Sequence, residues 1–171
     1  AVAKNFQLRV FQELLPYTQN LSGILAGKIS LLGTSEKPIL TGKMDVNNGQ
    51  VGVTLTKMNY GFWASLSTDD EKLIIRDSRI VEPSDKTRFI SASGYVDFTG
   101  LKMNDLMLEM TGDMKAFDRD LGETQLGISG DLWVGSGKNK LTLRGNSDRF
   151  NLTGNLILVK GNVVFNPFVQ E

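Results

Sequence analysis

The chain has 171 residues, of which 40% are hydrophobic, and 19 basic residues balance 19 acidic ones. This composition is typical of one folded domain, and the absence of a basic surplus argues against nucleic-acid binding. The sequence contains no His and no Cys, which excludes Ser-His-Asp and Cys-His catalysis and removes the commonest ligands of transition metals. We therefore expect a protein that is not an enzyme, with no metal site and no cofactor.

The first elements follow from a period-two alternation of apolar and polar residues, which is typical of half-buried strands. Residues 6–11 predict a strand, and residues 12–19 predict a short helical turn because Pro16 permits only a helix start. Further strand faces follow along residues 25–31 and 40–46. Asn47-Asn48-Gly49 predicts a tight hairpin, since these residues readily adopt the positive φ angles such a turn needs.

The same alternation continues to the end of the chain, with strands predicted over residues 51–55, 60–66, 73–81, 89–98, 102–114, 126–134, 141–144, 152–158 and 163–165. Gly135-Ser136-Gly137 and Lys160-Gly161-Asn162 predict two further hairpins. Short connections favour antiparallel pairing between successive strands. The sequence therefore predicts an all-β domain over residues 1–171, with roughly eleven antiparallel strands.

A short motif of Ser or Thr, then Gly, any residue and an apolar residue occurs five times, at Ser22-Gly23, Thr41-Gly42, Ser93-Gly94, Ser129-Gly130 and Thr153-Gly154. The spacing is uneven, so the motif does not define a strict repeat. Glycine within a strand allows the backbone to bend or to approach another layer closely. We expect these positions to help a sheet curl.

Acidic residues in the middle of strands, Asp97, Glu109, Asp113 and Asp131, fall on the polar side of the alternation. A pair of facing carboxylates would be needed for glycoside hydrolysis. Their predicted position on a solvated face instead favours a surface role.

The apolar faces predict either an ordinary sandwich core or an open groove, and periodicity does not distinguish the two. For a groove that takes up acyl chains, the candidate lining residues are Leu25, Ile29, Leu31, Leu40, Met44, Val46, Leu106, Leu108, Met110, Leu126, Ile128, Leu132, Val134, Leu141, Leu143, Leu156 and Leu158. Methionine suits such a surface because its side chain adapts to varied shapes.

Residues 20–49 carry a resemblance to a known family. They begin Asn-Leu-Ser-Gly-Ile-Leu-Ala-Gly-Lys-Ile-Ser-Leu-Leu-Gly-Thr and continue from Pro38 as Pro-Ile-Leu-Thr-Gly-Lys-Met-Asp-Val-Asn-Asn-Gly. This pattern resembles the TamB family of the AsmA-like group. Residues 90–98 and 153–158 are similar in style.

The resemblance implies a fold, a location and partners. Members of the family are long proteins anchored in the inner membrane of diderm bacteria, and they cross the periplasm as a curled, taco-like open groove or half-barrel with an apolar interior. They are linked to phospholipid transport towards the outer membrane and to the barrel protein TamA. The resemblance carries no catalytic residues. Ala1 in place of an initiating Met suggests a processed or excised fragment, and the chain would then be one segment of that groove.

The sequence leaves two alternatives to lipid conduction open. The chain could act in outer-membrane protein assembly, holding a client or a neighbouring segment through exposed strand edges. A carbohydrate-active β-sandwich is the third alternative.

Overall fold

The computed structural model describes residues 6–15, 17–34, 38–69, 72–82, 84–99, 102–146 and 148–166. The strands in these ranges are β1 Phe6–Gln7, β2 Thr18–Gly33, β3 Pro38–Val53, β4 Asn59–Asp69, β5 Lys72–Val81, β6 Phe89–Thr99, β7 Lys102–Phe117, β8 Ile128–Gly135, β9 Leu141–Gly145, β10 Phe150–Thr153 and β11 Ile157–Phe165. In the same ranges, two short 3₁₀ helices cover Leu8–Leu14 and Arg119–Leu121. The predicted all-β class is confirmed, with one antiparallel sheet that is not closed.

The strands form a meander, but two strand positions in the sheet, here called rows, are each filled by two shorter strands placed end to end. Strands β1 to β7 pair in chain order, and β7 then pairs with β9 along residues 106–110 and with β8 along residues 113–117. Because β8 and β9 run in the same direction along β7, they form one row broken at residues 136–140. Strands β10 and β11 form the next row in the same way, against β9 and β8 respectively.

A single hydrogen bond shows that the sheet curls. The hydroxyl of Tyr60 on β4 donates to the carbonyl of Lys115 on β7 over 2.8 Å. In a flat sheet these strands would lie about 14 Å apart, since each of three steps adds about 4.8 Å. A tyrosine side chain spans that gap only if β5 and β6 bend around it. The face that carries Tyr60 is therefore concave.

The glycines of the Ser/Thr-Gly motif lie where the backbone is unusual for a strand. All five have positive φ angles: Gly23 +128°, Gly42 +155°, Gly94 +155°, Gly130 +116° and Gly154 +123°. Gly112, within an unpredicted sixth instance at Thr111-Gly112-Asp113-Met114, has φ +114°. At Gly94 the close approach is to the paired strand and not to another layer, since a Cβ atom there would lie 1.9 Å from the carbonyl oxygen of Met107.

Three buried clusters follow one another along the concave face. The first contains Leu8, Leu21, Leu25, Met44, Val46 and Ala64, the second Met58, Tyr60 and Met114, and the third Val96, Met103 and Leu106. Val51 packs against the first two clusters, and Leu73 packs against the first and third. The clusters therefore form a continuous core within the curl of β2 to β7.

The strand predicted over residues 6–11 is wrong beyond Gln7, where a 3₁₀ helix begins. Leu8 leaves the strand to pack over β2, close to Gly23. The side chain of Gln12 donates to the carbonyl of Thr18 and accepts from the amide of Leu21, which ties the helix to β2. The predicted turn over residues 12–19 therefore starts earlier than expected, and Pro16 lies outside the described residues.

All three predicted hairpins are wrong. The strand β3 runs through Asn47-Asn48-Gly49, and the pairing with β4 shifts between Val46 and Gly49, with Asn48 at φ +51°. Gly135-Ser136-Gly137 begins the break between β8 and β9, and β11 runs through Lys160-Gly161-Asn162. Asn and Gly supply positive φ angles equally well to a bulge or a break in a strand, so local preference did not decide the topology.

Candidate functional site: the concave face of the sheet

The two faces of the sheet differ sharply in chemistry. Directly opposed residues share a face, so the register places Val46, Ala64 and Ser78 on the concave face. Ser78 is one of the polar residues there, and its hydroxyl donates to the carbonyl of Ala92. The intervening positions are mainly charged and polar, such as Asp45, which accepts from the hydroxyl of Ser65. Trp63 and Trp133 also lie on this side, where Arg79 and Lys115 stack on their rings. The apolar and polar faces are thus the inside and outside of one curl.

The predicted lining residues fall into three groups by exposure. The buried ones are Leu25, Met44, Val46, Leu106 and Leu141. The half-buried ones are Leu108, Met110, Ile128, Leu132, Val134 and Leu143. The exposed ones are Leu126, Leu156 and Leu158.

Three lining candidates, Ile29, Leu31 and Leu40, have backbones within β2 and β3, but their side chains lie outside the described part of the structure. Leu126 precedes β8, and Leu156 lies in the break between β10 and β11. The structure therefore brings Leu25, Met44 and Val46 together in one cluster and leaves Leu126 and Leu156 outside the strands.

The concave face is open along the flank formed by β8 to β11. Val134 and Leu132 face inwards, because Val134 pairs with Met114 of the second cluster. Opposite them on β11, Leu158 is 68% exposed, and the inward-facing Phe165 is 65% exposed. We define the open flank as Leu132, Val134, Leu152, Leu158, Val163 and Phe165. In the described part of the concave face, the open flank is an apolar surface that solvent or a ligand can reach.

Residues outside the predicted lining set also line the curl. Tyr60, Phe62 and Ala64 alternate with outward residues along β4, and they are buried or half-buried. Their signal was the same period-two pattern, which the aromatic composition of this segment obscured. Val163 and Phe165 were recognised as strand residues, but their inward direction depends on the bulge between Leu158 and Lys160.

One end of the curl is closed by the Tyr60 contact and the packing of Met58 against Met114. Burial raises the pKa of Tyr60 above its ordinary value, a hydrogen bond with Thr56 lowers it, and the negative charge of Glu82 raises it further. The hydroxyl therefore remains protonated and continues to donate to the Lys115 carbonyl. Glu82 is itself buried and accepts from the hydroxyl of Ser84.

The convex face carries an ion-pair cluster around Lys115. Its ammonium group lies 2.8 Å from Asp118 and 3.0 Å from Asp131. Burial lowers the pKa of Lys115, but the hydrogen bonds to both carboxylates outweigh it and raise that pKa overall. The same ammonium lowers the pKa of Asp131, helped by the amide of Arg119, and it lowers the pKa of Asp118.

This cluster predicts a loss of stability in acid. The folded pKa values of Asp118 and Asp131 lie below the unfolded value of about 3.9, so their stabilisation is present above that pH and is lost as pH falls through the folded values. We expect the double variant Asp118→Asn, Asp131→Asn to show a shallower fall in urea midpoint as the pH decreases below about 4. An unchanged slope relative to the wild type would contradict this assignment.

No helix in the described ranges is long and apolar enough to cross a bilayer. No known protein-family model, curated protein or solved structure matches the chain. The class that the fold defines is an open, curled antiparallel β-sheet with an apolar concave face.

Proposed function

We propose that this chain is a segment of a bacterial envelope protein whose apolar β-groove binds and conducts the acyl chains of phospholipids. One observation carries the proposal: the open flank presents apolar side chains on the concave face, where Leu152, Leu158 and Phe165 are each more than half exposed. Large exposed apolar surfaces on folded domains mark sites for lipid, ligand or protein partners.

The size of the open flank suits an acyl chain. The strand β11 has nine residues, which corresponds to a length of about 30 Å at about 3.3 Å per residue. One leaflet of a bilayer contributes about 15 Å of the hydrocarbon core, so a single acyl chain fits along this strand. Each methylene group removed from water contributes about 0.8 kcal/mol, which favours a continuous apolar path.

The curled core explains why lipid would lie at the flank. Leu25, Met44 and Leu106 are buried within the clusters and are shielded from a ligand by neighbouring side chains. Leu132 and Val134 are half-buried and border the exposed β11. We therefore place the bound chain against β8 and β11 and leave the interior of β2 to β6 as structural core.

The cellular setting is proposed from the resemblance to the TamB family. In this proposal the full-length protein is anchored in the inner membrane of a diderm bacterium, and this segment lies in the periplasm. Lipid would pass between the inner and outer membranes, and a TamA-like barrel protein would be the partner in the outer membrane.

Site-specific crosslinking tests lipid binding at the open flank. Phe165 and Val164 are adjacent on β11 and each is 65% exposed, but Phe165 faces the concave side and Val164 the convex side. Photoreactive residues at Phe165 and Leu158 are expected to yield lipid adducts in a cell envelope preparation, detected by mass spectrometry. The matched probe at Val164 should yield few. Equal labelling at the three positions, or none at all, would refute the proposal.

A charge substitution provides an independent measurement. Leu158→Glu should sharply reduce the phospholipid that is extracted with the purified protein, because a carboxylate against an acyl chain is strongly disfavoured. Val164→Glu, on the convex side of the same strand, should retain the wild-type amount. If both variants retained lipid equally, binding would have to occur elsewhere.

A further inference from the structure

Within the described residues, the strand β11 lies at an edge of the sheet. Among the described strands it pairs only with β8, and each of its nine residues is exposed. Apolar side chains point from it in both directions: Leu158 and Val163 towards the concave side, Ile157 and Val164 towards the convex side. Natural edge strands are usually protected by charges, bulges or Pro, because their free N–H and C=O groups template pairing with another chain. In β11 this protection is limited to one charge, Lys160, and one bulge, between Leu158 and Lys160.

The sequence of β11, Ile-Leu-Val-Lys-Gly-Asn-Val-Val-Phe, is self-complementary about Gly161. In an antiparallel pair of two copies with the two-fold axis at Gly161, Lys160 of each copy faces Asn162 of the other on the convex side. No like charges oppose one another at this centre. The two small Gly161 residues meet on the concave side, where a larger side chain would point into the groove.

The bulge in β11 preserves this match. The register with β8 skips Val159, so Leu158 and Gly161 both face inwards. If Val159 is also skipped in the pairing of two copies, Leu158 opposes Val163 on the concave side. Ile157 then opposes Val164 on the convex side. Every pair beyond the centre therefore joins apolar residues that share a face, which is the condition for favourable cross-strand packing.

We propose that β11 pairs antiparallel with β11 of a second copy of this chain, extending the two sheets into one across a two-fold axis. Such an isologous contact is closed, so it yields a dimer and does not propagate. The dimer would place the two open flanks side by side. This inference rests on the sequence and register of β11 and does not depend on lipid binding. It concerns copies of residues 1–171, because in the longer protein of the proposed function a following segment would compete for the same edge.

Analytical ultracentrifugation over a range from low to several hundred micromolar protein tests the dimer. We expect a monomer–dimer equilibrium whose dissociation constant lies in the micromolar range, as for other small interfaces. A monomer at every concentration would overturn the proposal.

Charge substitutions at Asn162 test whether β11 forms the dimer interface. Asn162→Lys would set two lysines against each other at both symmetric positions and should weaken the dimer about tenfold. Its fold should persist, because Asn162 lies beside Asp131 within one copy. Asn162→Asp sets a carboxylate opposite Asp131 within one copy, so urea denaturation must first show that this variant is folded. The folded variant should then form a dimer several-fold tighter at low salt by pairing with Lys160 of the second copy, and this gain should disappear at high salt.

A matched control separates these effects from net charge. Gln50→Lys adds the same charge on an exposed position of β3, an inner strand of the sheet. It should leave the dissociation constant unchanged. A dimer that responded alike to Asn162→Lys, Asn162→Asp and Gln50→Lys would have to form through another surface, and the proposal would be refuted.

Discussion

Replacing Gly94 with Ala is expected to destabilise the protein by about 3 kcal/mol or more, the largest effect we predict for a single methyl group. Gly94 has φ +155°, and a Cβ atom there would lie 1.9 Å from the carbonyl oxygen of Met107 on the paired strand. Relief requires β6 and β7 to move apart, which breaks their pairing at the centre of the curl. Urea denaturation followed by circular dichroism would measure the loss.

Gly61 supplies the matched control for this substitution. It has an ordinary strand conformation, and its Cβ atom would lie 3.3 Å from a methyl group of Val81. Gly61→Ala should therefore remain within about 1 kcal/mol of the wild type, since it also reduces the freedom of the unfolded chain. Similar urea midpoints for Gly94→Ala and Gly61→Ala would show that the Gly94 position is not strained by a side chain.

Truncation of Tyr60 should both destabilise and open the curl. Tyr60→Ala removes a buried aromatic ring from the second cluster and is expected to cost about 3 to 5 kcal/mol. Tyr60→Phe keeps the ring and loses only the hydrogen bond to Lys115, so it should cost about 1 kcal/mol. The difference between the two variants separates packing from hydrogen bonding.

Spin-label distances between β4 and β7 would measure the opening directly. The chain has no Cys, so cysteines introduced at the exposed positions Asn59 and Thr111 can be labelled selectively. We expect a longer and broader distance distribution in Tyr60→Ala and an unchanged one in Tyr60→Phe. If the distance distribution of Tyr60→Ala matched that of the wild type, contacts other than those of Tyr60 with Lys115 and the second cluster would maintain the curl.

Much of the sheet could be predicted from local pattern because alternation is a local property. The side-chain period of two directs successive residues to opposite faces whatever the strand pairs with. The acidic residues Glu109 and Asp131 accordingly lie on the convex face, where Glu109 pairs with Lys140 and Asp131 with Lys115. The motif glycines could be predicted for a similar reason, since a positive φ angle is a requirement of one residue.

The connections were harder to predict because they depend on which strands pair. Asn47-Asn48-Gly49 has the composition of a hairpin, but β3 continues past it, and the true connection to β4 closes where the amide of Val53 donates to the carbonyl of Met58. A local preference for positive φ is satisfied by either structure. Only the register between β3 and β4, which depends on packing along both strands, selects the bulge.

The sequence by itself therefore determined an all-β chain with one apolar and one polar face, punctuated by glycines and lacking His and Cys. The tertiary structure alone decided which part of the apolar face is core and which is open. Leu25 and Leu158 belong to similar alternating patterns, but Leu25 is 6% exposed and Leu158 is 68% exposed. The reason is physical: alternation sets the direction of a side chain, whereas burial depends on what the curl of the sheet brings against it.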